Sequence, residues 1–248
     1  MKEIEFGGKL VVVTGAASGM GLYASKEFVR LGAKVIMCDV NEAMLKAEAE
    51  AIGGAAVPMK GDVRDFGYAM EVAAEAEKLG GADCLVACAG GYEARCLNSM
   101  VPFHEQPIEV IDWGLDVNLK GPVYFSRALM PQMVAKKSGV IVILGSVTGF
   151  EGDGTGAMYG TAKSGLFNFV KGLAIAGAPH GVRALCVTPG PVLSRAAMSG
   201  MPTLLGRAAE LDELVDVILF MCSENASFIT GSNHVVDGGR LCMYQKTY

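Results

Sequence analysis

The stretch Thr14-Gly15-Ala16-Ala17-Ser18-Gly19-Met20-Gly21 is the strongest indication of how this chain folds. It follows the apolar run 9–14 and precedes a helical pattern over 20–31. Glycines in such a turn let the backbone approach a pyrophosphate, which the N–H groups at the start of the next helix can bind. The spacing, Gly-x3-Gly-x-Gly, would on its own also fit a purely structural turn. Because a strand-like run precedes it and a helix follows, we predict that the dinucleotide contacts are Gly15, Ser18, Gly19, Met20 and Gly21.

Apolar runs and helical patterns alternate along the rest of the chain. The apolar runs lie at 9–14, 34–39, 55–60, 84–89, 139–145, 183–188 and 233–236, and the helical patterns at 20–31, 41–52, 65–79, 108–134, 157–177 and 207–222. Several runs are apolar throughout, which is typical of parallel strands buried on both faces. We therefore predict an α/β fold, a single doubly wound Rossmann-type domain over residues 1–248, with a mostly parallel seven-stranded sheet flanked by helices. Ligands of such sheets bind at the carboxyl ends of the strands.

The composition argues against several other classes of protein. The chain has 248 residues, is 51% hydrophobic and carries a formal net charge of −5. Its Lys and Arg residues are scattered, so we expect no nucleic-acid partner. No apolar run approaches the roughly 18 residues of a membrane span, so we expect no membrane partner. The N-terminal residues lack the apolar core of a signal peptide, and the cysteines form no CxxC pair, which favours a cytoplasmic protein with reduced thiols. The histidines share no metal-ligand spacing, so we expect no metal site.

Asp39 ends the second apolar run, 24 residues after Gly15. In dinucleotide-binding folds an acid at this place accepts hydrogen bonds from the adenosine ribose hydroxyls, and its charge would repel a 2′-phosphate. No Arg or Lys is adjacent to it in the sequence, so we predict that NAD(H) is favoured over NADP(H). The alternative is that Asp39 only caps the helix that begins near Asn41.

Tyr159 and Lys163 are four residues apart in a helical pattern, so their side chains can share one face. A free tyrosine has a pKa of about 10, and a nearby ammonium lowers it toward the range useful for proton transfer. Ser146 follows the apolar run 139–145, where its hydroxyl can donate to a substrate oxygen. An isolated Tyr-x3-Lys could equally be a packed ring and a solvated amine, so the pair gains meaning only from its surroundings.

Taken in order, these and further motifs resemble the short-chain dehydrogenase/reductase superfamily, in its short single-domain form, over essentially the whole chain. The motifs are Thr14-x3-Gly19-x-Gly21, Asp62-Val63, Ala89-Gly90, Asn118, Ser146, Tyr159-x3-Lys163 and Pro189-Gly190. The resemblance implies an oxidoreductase that interconverts a secondary alcohol and a ketone. It implies a polyol or sugar, a hydroxysteroid or a 3-oxoacyl thioester as the substrate, without choosing among them.

The resemblance also assigns roles to individual residues. Tyr159 would be the general acid/base, Lys163 would tune it and hold the nicotinamide ribose, Ser146 would position the substrate, and Asn118 would hold a water in a proton relay. The cofactor-binding residues would include Asp62 and Val63 near the adenine, Ala89, Gly90, Pro189, Gly190, the Val192 backbone at the carboxamide, and the Ser194 hydroxyl. Two alternatives remain open: Asn118 only bridges backbone groups, and Asp62 is the N-cap of the next helix.

Three segments depart from the pattern of the family. Ala87-Cys88-Ala89-Gly90 replaces the usual Asn-Asn-Ala-Gly, the segment 91–107 is longer than usual, and the loop after Ser194 is predicted to be short because a helix would begin at Gly206-Arg207. The long segment contains Tyr92, Arg95, His104 and Glu105. After Ser146, the acids Glu151 and Asp153 are candidates for binding substrate hydroxyls or a cation, or else form a solvated acidic turn.

Two other functions compete with the dehydrogenase. A catalytically silent dinucleotide-binding or scaffold protein would share the fold, but Asn118, Ser146, Tyr159 and Lys163 argue against it. A nucleotide-sugar epimerase or dehydratase would carry a larger C-terminal region. Small residues crowd 156–177 and permit close helix packing, and relatives pair helices here, so we expect a homo-oligomer, a dimer or tetramer.

Overall fold

A computed structural model describes residues 2–243, and in this part of the chain it shows one seven-stranded sheet. The strands are β1 Leu10–Thr14, β2 Lys34–Asp39, β3 Ala56–Lys60, β4 Cys84–Ala87, β5 Gly139–Leu144, β6 Val182–Pro189 and β7 Asn233–Val236. Their order is β3-β2-β1-β4-β5-β6-β7, and every neighbouring pair is parallel. The predicted fold class is confirmed, with a sheet that is parallel throughout. Met1 and residues 244–248, which the predicted domain 1–248 includes, lie outside the described residues.

Helices cover both faces of the sheet. They are α1 Gly19–Arg30, α2 Glu42–Ile52, α3 Phe66–Lys78, α4 Glu93–Cys96, α5 Ile108–Leu115, α6 Gly121–Lys136, α7 Ala157–Gly177 and α8 Leu211–Cys222. Alternate residues of β1 serve the two cores, because successive side chains of a strand point to opposite faces. Val11 and Val13 pack in one core with Phe28 of α1, whereas Val12 packs in the other with Phe125 of α6. Within residues 2–243, none of the helices is long and apolar enough to cross a membrane.

The position of the site follows from the strand order. The chain winds outward from β1 through β2 to β3, then returns to the other side of β1 and continues from β4 to β7. The crevice of a doubly wound sheet opens where the winding reverses, outside the carboxyl ends of the strands. Here that point lies between β1 and β4, where Thr14 pairs with Ala87. The glycine turn after β1 therefore faces the residues that follow β4.

The predicted helix 108–134 is interrupted in the structure. Its first part is α5, a π-helical turn covers Asp116–Lys120, and α6 continues from Gly121 to Lys136. A π-turn inserts one extra residue into the hydrogen-bonding ladder and often marks a functional site. Here it contains Asn118. The hydrophobic period of the sequence does not reveal such an insertion.

The predicted helix 207–222 begins at Leu211, four residues later than expected. Glu210 and Glu213 form a capping box, in which the Glu210 backbone N–H donates to the Glu213 carboxylate over 2.9 Å. Gly206 has a φ of +73°, which is a turn conformation rather than a helical one. The connection between β6 and α8 therefore continues as far as Glu210, four residues further than predicted, and its shortness relative to the family stays a prediction.

Candidate active site

The glycine turn brings the ends of β1 and β4 into close contact. Gly15 has a φ of +68°, and a Cβ atom built there would lie 2.9 Å from the backbone of Ala89. Gly19, at the start of α1, has a φ of +53°. Thr14 fastens the turn to β4, because its Oγ1 accepts a hydrogen bond from Ala89 N over 3.1 Å. A side chain at position 15 would force these two segments apart.

Asp39 holds the same turn from the side of β2. Its Oδ2 accepts a hydrogen bond from Ala17 N over 3.0 Å, and its Oδ1 accepts one from Asn41 N over 2.9 Å. The cap of α2 is Asn41 itself, whose side chain accepts from Met44 N over 3.2 Å. Asp39 is therefore not the helix cap that the alternative interpretation required. Its carboxylate orders the turn and faces the cavity.

A cavity of about 1040 Å³ opens at the carboxyl ends of the strands. All the predicted cofactor-binding residues line it, namely Gly15, Ser18, Gly19, Met20, Gly21, Asp39, Asp62, Val63, Ala89, Gly90, Tyr159, Lys163, Pro189, Gly190, Val192 and Ser194. Ser146 lines the same cavity, and so does Asp153. The structure thus brings residues from eight separate segments of the sequence into one space.

Asp62 is bound to an arginine that also lines the cavity. Arg64 Nη2 donates to Asp62 Oδ2 over 2.6 Å, and the Arg64 side chain lowers the pKa of Asp62. The N-cap of α3 is Asp65, which accepts from Gly67 N over 2.7 Å, so Asp62 does not cap that helix. Asp62 lines the cavity, as a cofactor-binding residue must, and its negative charge is balanced by Arg64.

Lys163 is buried at the bottom of the site. The residue is only 3% exposed, and its Nζ donates a hydrogen bond to the carbonyl oxygen of Leu144 over 2.7 Å. Burial lowers the pKa of Lys163 to about 8. The Nζ atom lies 5.6 Å from the centre of the Tyr159 ring. The amine is therefore close to the phenol and easily deprotonated for a lysine.

The pKa of Tyr159 is shifted in the direction opposite to the sequence-based expectation. Burial raises this pKa, and a hydrogen bond with Ser146 opposes the rise. The positive charges of Arg195 and Arg95 oppose it as well. Burial outweighs these effects, and the Lys163 amine is turned toward Leu144 rather than toward the phenol. The lowered pKa expected from Lys163 is thus not found.

Ser146 stands at the point where β5 gives way to a short 3-10 turn, Val147–Gly149. Its Oγ accepts a hydrogen bond from Thr148 N and donates one to Thr148 Oγ1, each over 3.2 Å. These bonds hold the hydroxyl toward the cavity that Tyr159 also lines.

Asn118 is fully buried in the π-turn and bridges backbone groups. Its Oδ1 accepts from Gly91 N, and its Nδ2 donates to the carbonyl oxygens of Gly91 and Gly114, each over 2.9 Å. The bridging alternative is therefore what the structure shows for its side chain. A Cβ atom built on Gly90 would lie 2.7 Å from Asn118 Oδ1 and 3.4 Å from Lys163 Nζ, which places both side chains around the same glycine. The water relay stays a prediction.

Sequence reasoning did not single out Glu93, which binds the start of the catalytic helix. Glu93 is 2% exposed, and its carboxylate accepts hydrogen bonds from Met158 N over 3.0 Å and from Tyr159 N over 3.1 Å. At the helix start Gly156 provides no side-chain cap, so the acid comes from the segment 91–107. The missing cap was the one available signal, since unsatisfied N–H groups at a helix start need a partner.

Tyr92 joins the same segment to the loop before α7. Its ring packs edge to face on the Tyr159 ring, with the centroids 6.0 Å apart. Its hydroxyl donates to Asp153 Oδ1 over 2.7 Å and also contacts Thr155. Asp153 further accepts from Thr155 N over 2.8 Å and from Gly156 N over 2.7 Å.

Of the two acids predicted to bind substrate, only Asp153 lines the cavity. Its oxygens already hold the loop together, as described above. Glu151 does not line the cavity, and its carboxylate pairs with Arg240 over 2.9 Å. Substrate binding by either acid stays a prediction, and both have structural partners.

Comparison with known proteins agrees with this geometry. A model of the short chain dehydrogenase family matches residues 9–203. L-rhamnose 1-dehydrogenase (NAD(P)(+)) from Sphingomonas sp. (strain SKA58) is 32% identical over 259 residues, covering 96% of this chain and 98% of that protein. Meso-2,3-butanediol dehydrogenase from Serratia marcescens is 34% identical over 252 residues, covering 95% of this chain and 96% of that protein.

A solved structure described as a short chain dehydrogenase/reductase family protein superposes with a TM-score of 0.87 at 28% identity. The match covers 96% of this chain and 100% of that one. The match to the family model and the curated relatives over nearly their whole length lead to the same conclusion. This chain belongs to the short-chain dehydrogenase/reductase superfamily, a family of enzymes that act on CH–OH groups with a nicotinamide dinucleotide.

Proposed function

We propose that this enzyme interconverts a secondary alcohol and a ketone, using NAD(H), with Tyr159 as the general acid/base. The observation that carries the proposal is that Ser146, Tyr159 and Lys163 line the same cavity as the glycine turn. A scaffold protein with the same fold would have no need for a buried lysine beside a half-buried phenol that lines the cavity. No contact described above favours the alternative of a catalytically silent scaffold protein.

The residues around the crevice fit a dinucleotide. Gly15 and Gly90 line the crevice, and a Cβ at either would collide with Ala89 or Asn118, so glycine is needed for the backbone to take its course there. The N-terminus of α1 supplies N–H groups suited to a pyrophosphate. When bound, the dinucleotide supplies the acceptor or donor of the hydride.

The chain's own residues handle the proton. In alcohol oxidation the C–H bond breaks with both of its electrons, the hydroxyl proton passes to Tyr159 Oη, and the C=O bond forms. Ser146 donates to the substrate oxygen and keeps it near the phenol. Lys163 holds its own charge close to Tyr159, and Asn118 fixes the backbone of Gly91 beside them.

The direction of the reaction depends on pH through Tyr159. Because its pKa is raised, the phenol is protonated at neutral pH, which is the form that donates a proton to a ketone. Alcohol oxidation needs the phenolate, so its kcat/KM should rise as the pH increases from 7 to 10, while ketone reduction should be favoured at the lower end. Initial rates in both directions across this range measure the effect. An oxidation rate that falls above pH 7 would contradict it.

The preference for NAD(H) rests on Asp39 and on the state of Arg64. Asp39 turns a carboxylate toward the cavity, where a 2′-phosphate would meet a negative charge. Arg64 lines the same cavity, but its guanidinium is held by Asp62 over 2.6 Å. Dissociation constants for NADH and NADPH, measured by fluorescence on the same preparation, test the preference. Tighter binding of NADPH would refute it.

The substrate candidates remain a polyol or sugar, a hydroxysteroid and a 3-oxoacyl thioester. The names of the two relatives reported above give L-rhamnose and meso-2,3-butanediol as their substrates. This favours a small hydroxylated molecule as the substrate of this enzyme. A panel of these classes, assayed by the absorbance of the reduced cofactor, tests the function. Tyr159→Phe should lower kcat by about 10²–10⁴-fold and leave cofactor binding nearly unchanged. Turnover close to that of the parent enzyme in this variant would disprove the mechanism.

We also infer a cytoplasmic homo-oligomer. The seven cysteines are free thiols in the structure, as expected in a reducing compartment. On α7, Ile175 is 78% exposed and Gly172 has open space around it, so this helix face can receive another helix closely. Light scattering at working concentration tests the assembly, and a monomer would remove the inference.

A further inference from the structure

Two arginines, Arg95 and Arg195, stand at the cavity beside Tyr159 and have no role in the function proposed so far. Arg95 belongs to α4, in the segment that connects β4 to α5, and Arg195 directly follows Ser194 after β6. Both line the same cavity as Ser146 and Tyr159. Two segments one hundred residues apart in the sequence therefore each place a guanidinium at this end of the site.

Neither of the two guanidinium groups has a carboxylate partner within residues 2–243. The nearest polar contacts found for them are to sulfur, from Arg95 Nη2 to Cys96 Sγ over 3.6 Å and from Arg195 Nη2 to Met198 Sδ over 3.8 Å. By contrast, Arg64 pairs with Asp62, Arg207 with Glu213 and Arg240 with Glu151.

The acid at the same rim is not available to them. Asp153 already accepts hydrogen bonds from Tyr92, Thr155 and Gly156, over 2.7 to 2.8 Å. Glu93, the other acid near Tyr159, accepts from Met158 N and Tyr159 N, so neither carboxylate pairs with Arg95 or Arg195. The two guanidinium groups therefore remain free to contact an anion.

The two positive charges act on the reacting group and on each other. Both lower the pKa of Tyr159, which means that their field reaches the phenol. Burial and the charge of Arg95 lower the pKa of Arg195. Both side chains are exposed at the mouth of the cavity, and an anion that contacts two like charges reduces their repulsion.

We propose that Arg95 and Arg195 together bind a carboxylate of the substrate, so that the preferred substrate is a hydroxy acid and the product an oxo acid. The planar fork of an arginine matches the two oxygens of a carboxylate, and such charge-assisted pairs are the strong ones. The remaining lining of this end is largely apolar, with Met100, Trp113 and Met198 available to the carbon skeleton. The inference rests on the proposed function, because it specifies the substrate of the same reaction.

The test compares acids with neutral molecules of the same shape. The parent enzyme is assayed with 3-hydroxybutyrate and 3-hydroxybutanamide, and in the other direction with pyruvate and pyruvamide and with 4-oxopentanoate and 4-oxopentanamide. In at least one pair, kcat/KM for the acid should exceed that for the amide by about tenfold to a hundredfold. Added salt should reduce this preference. Equal or higher kcat/KM for every amide would overturn the proposal.

Variants of the two arginines test whether they cause the preference for acids over amides. Arg95→Gln and Arg195→Gln should each reduce the ratio of acid to amide kcat/KM by about tenfold, mainly through KM for the acid, and Arg95→Lys and Arg195→Lys should restore part of it. Arg127→Gln is the control, because Arg127 is exposed on α6 outside the cavity and should leave the ratio unchanged.

Two further outcomes would contradict the assignment. If Arg95 or Arg195 bound a phosphate of the cofactor, the glutamine variants would raise KM for NAD equally with acid and amide substrates. If the site served a phosphate ester, dihydroxyacetone phosphate would be preferred over dihydroxyacetone more strongly than any acid over its amide. Turnover of neutral alcohols alone would refute the acid preference and leave the proposed function intact. No turnover of any acid, amide, polyol, steroid or thioester would refute both.

Discussion

The glycine turn and the rim around Tyr159, which consists of residues 92–95 and 153–159, are built in different ways. The turn is shaped by glycines at which the backbones come close together, and its hydrogen bonds, such as Ala16 N to the Cys38 carbonyl over 3.1 Å and Ala17 N to Asp39, join the ends of neighbouring strands. The rim is held by side chains that reach across the sequence, as Glu93 does to Tyr159 N, 66 residues away. A short motif can specify the first kind of structure, whereas the second depends on where separate segments meet. The turn should therefore tolerate almost no side chain, and the rim should fail when single polar groups are removed.

The largest expected effect is in the turn. Gly15→Ala combines a left-handed backbone with a Cβ 2.9 Å from the Ala89 backbone, so the free energy of unfolding should fall by about 3 kcal/mol. Gly8→Ala is the matched control, because Gly8 has a similar φ of +72° and nothing within 4 Å of its Cβ position. It should cost only about 1 kcal/mol. Urea denaturation of both variants measures the difference. Equal losses would mean that the close approach to Ala89 is unimportant.

The next effect is at the rim. Glu93→Ala leaves the N–H groups of Met158 and Tyr159 without their acceptor, which should lower the free energy of unfolding by about 1–3 kcal/mol. It should also lower kcat, because the first turn of the helix that carries the phenol loses its anchor. Glu93→Gln retains one acceptor oxygen, so its stability and kcat should lie between those of the parent enzyme and those of Glu93→Ala.

Glu109→Ala serves as the control for Glu93, since Glu109 is an exposed acid in the first turn of α5. Thermal unfolding and kcat on one accepted substrate are measured for all three variants. A Glu93→Ala enzyme with the stability of the parent, with its kcat also unchanged, would show that the hydrogen bonds to α7 do not matter. A loss of stability without a change in kcat would show that the cap acts on the fold alone.

The smallest expected effect is the change in the free energy of unfolding with pH that Lys163 causes. Lys163 lies where the glycine turn and the rim meet. Its pKa is about 8 in the folded protein, against 10.5 for a lysine in water. Between these values the unfolded chain binds more protons, so this lysine makes the protein more stable as the pH rises from 8 to 10.5. The contribution is at most about 1.4 kcal/mol per pH unit. It is measured as the difference between the parent and Lys163→Met in urea denaturation at pH 7, 8, 9 and 10. A constant difference over this range would rule out the buried, depressed lysine.

The sequence was informative where the chain contacts itself locally. The turn at 14–21, the strands and the Tyr159–Lys163 pair are recognisable because glycine spacing, strand length and helical spacing are local properties. Glu93 was not recognisable, and Arg95 was named only as a member of the long segment 91–107, because the importance of Glu93, Arg95 and Arg195 depends on the distance between segments that lie far apart in the sequence. The π-turn at Asn118 and the late start of α8 also escaped notice. An extra residue in a helix and a capping box of two glutamates leave the apolar pattern nearly unchanged.

The bond from Glu93 to α7 limits how the substrate rim can be exchanged between relatives. A chimera that replaces residues 94–107 retains the acid, and with it the anchor of the helix that bears Tyr159. A chimera that replaces residues 92–107 removes the anchor and the Tyr92 ring together. The rim is therefore not an independent module for transplantation, and the boundary for grafting a new specificity lies after Glu93, not at the end of β4.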